Sequence, residues 1–149
     1  MELHVINTSN ARQRTDCAIV GIYDKGLLSA AAREFDSKTG KLISKLIAQG
    51  DVQGKLGETL LIADTKGASA SRLMLVGLGA KPTFDRKAYR KALQSALTAV
   101  NKTGSTHAIS YVSQETVARL ADCGHTHHLQ LTTHYSRCRI YQHSYKTLP

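Results

Sequence analysis

Side chains able to bind a metal crowd the end of this chain: Cys123, His125, His127, His128, His134, Cys138 and His143. These are the ligand types of zinc. Their spacing makes no standard site, because Cys123 has no second cysteine two to four residues away and His134 with Cys138 is a lone pair. Hydrolytic chemistry has still less to stand on. There is no Gly-x-Ser-x-Gly elbow, no His-Glu-x-x-His and no carboxylate pair in an apolar setting. Gly77-Leu78-Gly79 follows an apolar run and precedes a helical pattern, which invites a phosphate-loop reading. The dinucleotide fingerprint needs a third glycine where Pro82 stands, and the Gly-Lys-Ser/Thr of a P-loop is missing. A tight exit from a strand is the better account.

The remaining candidate is electrostatic. Arg86, Lys87, Arg90 and Lys91 fall on the first two turns of an expected helix, where the positive end of the backbone dipole disfavours cations. A phosphate-bearing partner such as DNA would offset that cost by releasing condensed counterions. The competing reading is a solvated outer face partly neutralised by Asp85. No aromatic interleaves these cations and no helix-turn-helix is visible, which favours the solvated face.

These groups must be carried by one domain. At 149 residues folding hides roughly 68–70% of the unfolded surface, and 42% hydrophobic with 21% charged residues is an ordinary globular composition. Aromatics make up only 5%, so an aliphatic core is expected. The longest apolar runs, such as residues 60–63 and 73–76, are far too short to span a membrane. Three cysteines, Cys17, Cys123 and Cys138, form no disulfide framework. A cytoplasmic protein is expected, with Cys17 a buried small hydrophobe. The formal charge of +9 is uneven: residues 123–149 hold three basic residues, no acid and five of the seven histidines. The chain therefore divides into residues 1–122 and an atypical His-rich tail, 123–149.

Residues 1–122 alternate short apolar runs with helical spacing, which predicts an α/β domain. Strands are expected at 3–6, 17–22, 59–63, 72–78 and 107–112. The second is almost continuously apolar, the mark of a strand covered on both faces. Helical spacing runs from 26 to 49 with a break at Thr39-Gly40, and Gly50 is placed to stop the second helix. Thr83 or Asp85 can cap a helix whose inner face is Tyr89, Leu93, Ala96, Leu97 and Val100. A short helix is expected over 114–121. In the tail, Leu129-Gln130-Leu131 and Ile140-Tyr141 read as strand fragments among too few apolar residues to anchor them firmly.

Four blocks in this order and spacing resemble a known family: Cys17-Ala18-Ile19-Val20-Gly21-Ile22-Tyr23; Ile43-Ser44-Lys45-Leu46-Ile47-Ala48-Gln49-Gly50-Asp51-Val52-Gln53-Gly54-Lys55-Leu56-Gly57-Glu58-Thr59-Leu60-Leu61; Arg72-Leu73-Met74-Leu75-Val76-Gly77-Leu78-Gly79; and Phe84-Asp85-Arg86-Lys87-Ala88-Tyr89-Arg90-Lys91. They are similar to the N-terminal domain of the cytosol (leucyl) aminopeptidases, hexameric two-metal exopeptidases, over about residues 1–120. The resemblance implies a three-layer α/β/α domain with a central mixed sheet, akin to macro domains. It also implies that the two divalent metals (Mn or Zn), the catalytic lysine and arginine, and the peptidase signature lie in a C-terminal catalytic domain. On that footing this chain holds no catalytic, cofactor or metal residue and is inert alone, with an oligomerisation or regulatory role. The alternative is a stand-alone macro-like module that binds DNA or a nucleotide through its basic surface. After about Glu115 the sequence departs from the family pattern. A change of reading frame, an artefact in the sequence or a genuine divergent extension would each produce the tail.

Overall fold

The computed structural model describes residues 3–6, 14–63, 65–115 and 139–143. Its strands are β1 (Leu3–Ile6), β2 (Thr15–Tyr23), β3 (Leu27–Leu28), β4 (Thr59–Ala63), β5 (Ala70–Gly79), β6 (His107–Ser110) and β7 (Arg139–His143). Its helices are α1 (Ala30–Lys38), α2 (Leu42–Gln49) and α3 (Arg86–Asn101). The sheet order is β1-β7-β6-β2-β5-β4, with the short β3 folded back onto β2. The neighbours from β1 to β5 pair parallel, and β4 pairs antiparallel with β5. The expected three-layer α/β/α arrangement with a mixed sheet is the one observed.

Central β2 explains why its sequence is so apolar. It pairs with β5 at one edge and β6 at the other, and each of its two faces meets helices. Cys17, Ile19 and Tyr23 pack with Phe84, Leu93, Leu97 and Val100 beneath α3. Ala18, Val20 and Ile22 pack with Ala32, Phe35 and Ile43 beneath α1 and α2. The alternation follows from successive side chains of a strand pointing to opposite faces. Burying one such aliphatic side chain stabilises the fold by roughly 1.5–3 kcal/mol. The core is not wholly aliphatic, since Phe35, Phe84 and Tyr23 are among its largest buried side chains.

Helix boundaries follow from capping chemistry. Ser29 Oγ accepts from the N–H of Ala32 to start α1, and Asp85 accepts from Ala88 at 2.8 Å to start α3. The buried Asp36 of α1 accepts from Ser44 N and Ser44 Oγ, at 3.0 and 2.5 Å, and so ties α2 to α1. Gly50, with φ +85°, ends α2 as expected.

Four expectations need correction. The helical spacing read from Gly26 is instead a reversal, with Lys25 and Gly26 at φ +61° and +72°, that lays β3 against β2 before α1 begins at Ala30. The strand read over 107–112 stops at Ser110, because the chain tightens into a 3-10 turn at Val112–Gln114. Of the helix read over 114–121, Gln114 belongs to that turn, Glu115 is extended, and the rest lies outside the described residues. The strand fragment read at Ile140-Tyr141 is a full strand, β7, seated between β1 and β6 and parallel to both. Its place comes from backbone ladders on two sides, a source of anchoring that side-chain hydropathy does not register. The fragment read at Leu129-Gln130-Leu131 lies outside the described residues.

Candidate functional site

In open α/β sheets, ligands bind outside the carboxyl ends of the strands, where successive crossovers leave on opposite faces. Here that place lies at the ends of β2 and β5, since β2 leads to α1 on one face and β5 to α3 on the other. The chain itself fills it. Glu58 turns its carboxylate back so that Oε2 accepts three consecutive backbone N–H groups, from Gln53, Gly54 and Lys55, at 3.0, 2.8 and 3.1 Å. Such a run of N–H groups is an anion-binding concavity, and here the anion is internal.

Glycine is required for this closure at two positions. A Cβ on Gly54, which sits at φ +82°, would lie 2.1 Å from the carbonyl oxygen of Tyr23, and one on Gly77 would lie 1.8 Å from that of Lys55. The N–H of Gly77 donates to the Glu58 carbonyl, and that of Gly79 to the Gly54 carbonyl. The Gly77-Leu78-Gly79 segment therefore directs its N–H groups at its own loop, in line with a strand exit rather than a phosphate cradle. Gly57, at φ +85°, donates to the Gly77 carbonyl and forms with Glu58 a bulge that aligns the start of β4 against β5.

A second carboxylate closes the other side. The Tyr23 hydroxyl donates to Glu115 Oε2 at 2.7 Å, and Glu115 Oε1 accepts from the N–H of Ala30 at 3.3 Å, at the N-terminus of α1. Burial, reinforced by the adjacent Glu115 carboxylate, pushes the Tyr23 phenol well above its ordinary range. It is a fixed donor, unfit to serve as a base or nucleophile at neutral pH. Lys81 Nζ stands 5.6 Å from the centre of the Tyr23 ring, and Phe84 meets that ring edge-on at 5.7 Å. Tyr23 and Glu115 are 92 residues apart, so no local pattern announced the pair.

The four cations picked from the sequence lie elsewhere. Arg86, Lys87, Arg90 and Lys91 are all exposed on α3, while Ala88, Tyr89, Ala92 and Leu93 point into the core. None of the four pairs with a carboxylate of the described residues, since Asp85 is spent capping the helix. Sequence reasoning missed where Lys91 leads. With Lys102 it lines an open groove between α3 and β4, together with Thr59, Leu61, Met74, Ser95 and Thr98.

Among the described residues there is no group of three or more His, Cys, Asp or Glu side chains placed to hold a metal ion. Of the metal-ligand types in the tail, Cys123, His125, His127, His128, His134 and Cys138 lie outside the described residues. Among the described residues no helix is long and apolar enough to cross a membrane. Cys17 is buried in β2.

Comparison with known proteins then bears on the whole. The family model for the N-terminal domain of the cytosol aminopeptidase family matches residues 19–145, a span that takes in β7 and runs past the boundary drawn at residue 122. A probable cytosol aminopeptidase of Halorhodospira halophila is 38% identical over 114 residues, which are 76% of this chain and 23% of that protein. The chain thus spans about a quarter of the length of such relatives. In structure it is similar to a tomato leucine aminopeptidase mutant, with a TM-score of 0.68 and 16% identity over 100% of this chain and 33% of that one. It is also similar to a Trypanosoma brucei macrodomain solved with ADP, with a TM-score of 0.64 and 12% identity over 95% of this chain and 63% of that one. At these identities the structural likenesses establish the fold alone.

Proposed function

Because the chain belongs to the cytosol aminopeptidase family as its N-terminal domain, we propose that it is a non-catalytic module serving a metal-dependent aminopeptidase. The peptidase, which would remove N-terminal amino acids from peptides, would be carried by the remainder of the longer relatives. The observation that carries this reading is the coverage: the match takes up most of this chain and 23% of the relative. Two-metal hydrolysis needs a carboxylate cluster to hold both ions and the attacking water. The described residues offer no such donor set, so the two divalent ions implied for the family, manganese or zinc, are assigned to the catalytic part and no step is routed through them here. What the chain can do is pack, orient and limit access, as a partner of the catalytic domain within a cytoplasmic homo-oligomer, hexameric in the resembled enzymes.

The test is direct. The 149-residue chain, given a leucyl chromogenic substrate with added manganese or zinc, is expected to show no turnover. Metal-dependent hydrolysis that disappears on substituting the tail histidines would overturn the assignment.

A second reading rests on one observation, the exposure of Arg86, Lys87, Arg90 and Lys91 without a described carboxylate partner. Such a face suits duplex DNA held through its phosphates, with weak, sequence-independent and salt-sensitive affinity. Replacing the four by Gln is expected to weaken binding to every duplex alike while the fold stays intact. Unchanged binding would leave a solvated face. The nucleotide form of the stand-alone reading has less support, because the N–H groups at the carboxyl end of the sheet already hold Glu58 and Glu115.

A further inference from the structure

Among the described residues the last strand of the sheet is paired on one side only. β4 is Thr59-Leu60-Leu61-Ile62-Ala63 and pairs only with β5 among the described residues. An exposed edge is normally blunted by lysine, proline or a bulge within the strand, since its unpaired N–H and C=O groups invite another strand. These five residues include no charge and no proline, and the bulge at Gly57 precedes them. From the Gly77 to Glu58 bond, ladder alternation turns the backbone of Leu60 and Ile62 toward β5 and that of Thr59, Leu61 and Ala63 outward.

The side chains repeat the division. Leu60 and Ile62 pack on the core beneath α1 and α2. Thr59 and Leu61 lie on the opposite face, over the groove against α3, and Leu61 is 39% exposed. A strand added beside β4 would bring every second side chain over that groove. Its walls are Met74, Ala99 and small polar groups flanked by Lys91 and Lys102, with no acidic residue among them.

We propose that this edge and groove form a docking site for an extended acidic peptide segment that adds to β4 as a further strand. The outward N–H and C=O groups supply the ladder, the exposed Leu61 the apolar contact, and the two lysines select carboxylates at the flanks. The lysines also disfavour a second copy of this chain, because two-fold pairing of β4 would bring four cations to one seam without a lining acid.

The probe is a fluorescein-labelled peptide, Glu-Thr-Val-Thr-Val-Thr-Glu, whose alternate residues present two valines flanked by two glutamates on one face; it is titrated into the 149-residue chain and followed by anisotropy and amide hydrogen exchange. Binding that weakens as salt rises, with new protection at Thr59, Leu61 and Ala63, is expected. The Lys91→Glu/Lys102→Glu variant should weaken it about tenfold. Leu61→Thr, which removes the apolar contact at a half-open position without adding charge, should weaken it while thermal unfolding stays cooperative. The proposal is overturned if the peptide does not bind, if a version with Lys for Glu binds as well, or if exchange at β4 is unaltered. It is equally overturned if β4 becomes protected by self-association in the absence of peptide, or by duplex DNA in place of the peptide.

Discussion

The carboxyl end of β2 and β5 and the outer edge at β4 are both places where an α/β sheet has backbone groups to spare, and this chain treats them in opposite ways. At the end of β2 and β5 the chain's own carboxylates, Glu58 and Glu115, take up the N–H groups, and two glycines let backbone press on backbone. At β4 a short uncharged strand, paired on one side only among the described residues, lies beside a groove lined by two lysines. The contrast separates a sheet end whose N–H groups are taken up within the chain from an edge whose outward groups have no partner among the described residues. Where polar groups are satisfied internally the region is structural, and where they are not, a partner is to be sought.

Substitutions should separate the two regions by the size of their effects. The largest is expected for Gly77→Ala, whose new Cβ would collide with the Lys55 carbonyl in a place no side chain can vacate. A loss of about 3 kcal/mol or more is expected in chemical denaturation. Gly40→Ala, with nothing within 4 Å but φ at +66°, should cost only about 1 kcal/mol. Equal losses in the two variants would remove the claim of a closed crevice.

Tyr23→Phe comes next, since it leaves the Glu115 carboxylate without its phenolic donor. A loss of about 1–3 kcal/mol is expected, read from the unfolding midpoint. Tyr23 also sets a pH signature. Its folded pKa lies above the 10.0 of an ordinary phenol, so the folded state holds its proton longer than the unfolded chain. The corresponding stability is complete below pH 10 and is lost as pH rises beyond it. Tyr23→Phe should flatten that alkaline decline, and an unchanged profile would count against the bond.

Smaller still is the effect of Asp16, whose carboxyl is held below the ordinary aspartate value of 3.8, chiefly by the Thr106 hydroxyl and then by the Thr106 N–H. Its contribution is present above pH 3.8 and fades as pH falls through the lower folded value. Because the side chain is 43% exposed, Asp16→Asn should alter acid unfolding only slightly. Least of all, Gln at Arg86, Lys87, Arg90 and Lys91 should leave stability within about 0.5 kcal/mol, with any change toward greater stability as repulsion from the helix dipole is lifted.

Much of this fold was legible wherever a local signal sufficed. The unbroken apolar run of β2 announced a strand covered twice, and Asp85 with the spacing Tyr89, Leu93, Leu97, Val100 announced α3 and its inner face. The reversal at Lys25 was hidden, because a lysine at positive φ leaves no mark in the sequence and Leu27-Leu28 fits a helix as well as a strand. β7 was underestimated because parallel ladders on both sides hold it, which hydropathy cannot show. The basic face of α3 could be read in advance, but the groove could not, since it exists only where β4 lies beside α3. The internal ligands were hidden for the same reason: Glu115 is joined to Tyr23 only by the fold.

The most direct test of the closed end is an NMR titration of the chain with ADP, followed at the amides of Ala30, Gln53, Gly54, Lys55, Gly77 and Gly79. With Glu58 and Glu115 in place, these amides should stay slow to exchange and unshifted at millimolar ADP. Saturable shifts centred on Gly54, Gly77 and Ala30 would contradict the account and return the chain to the nucleotide-binding reading.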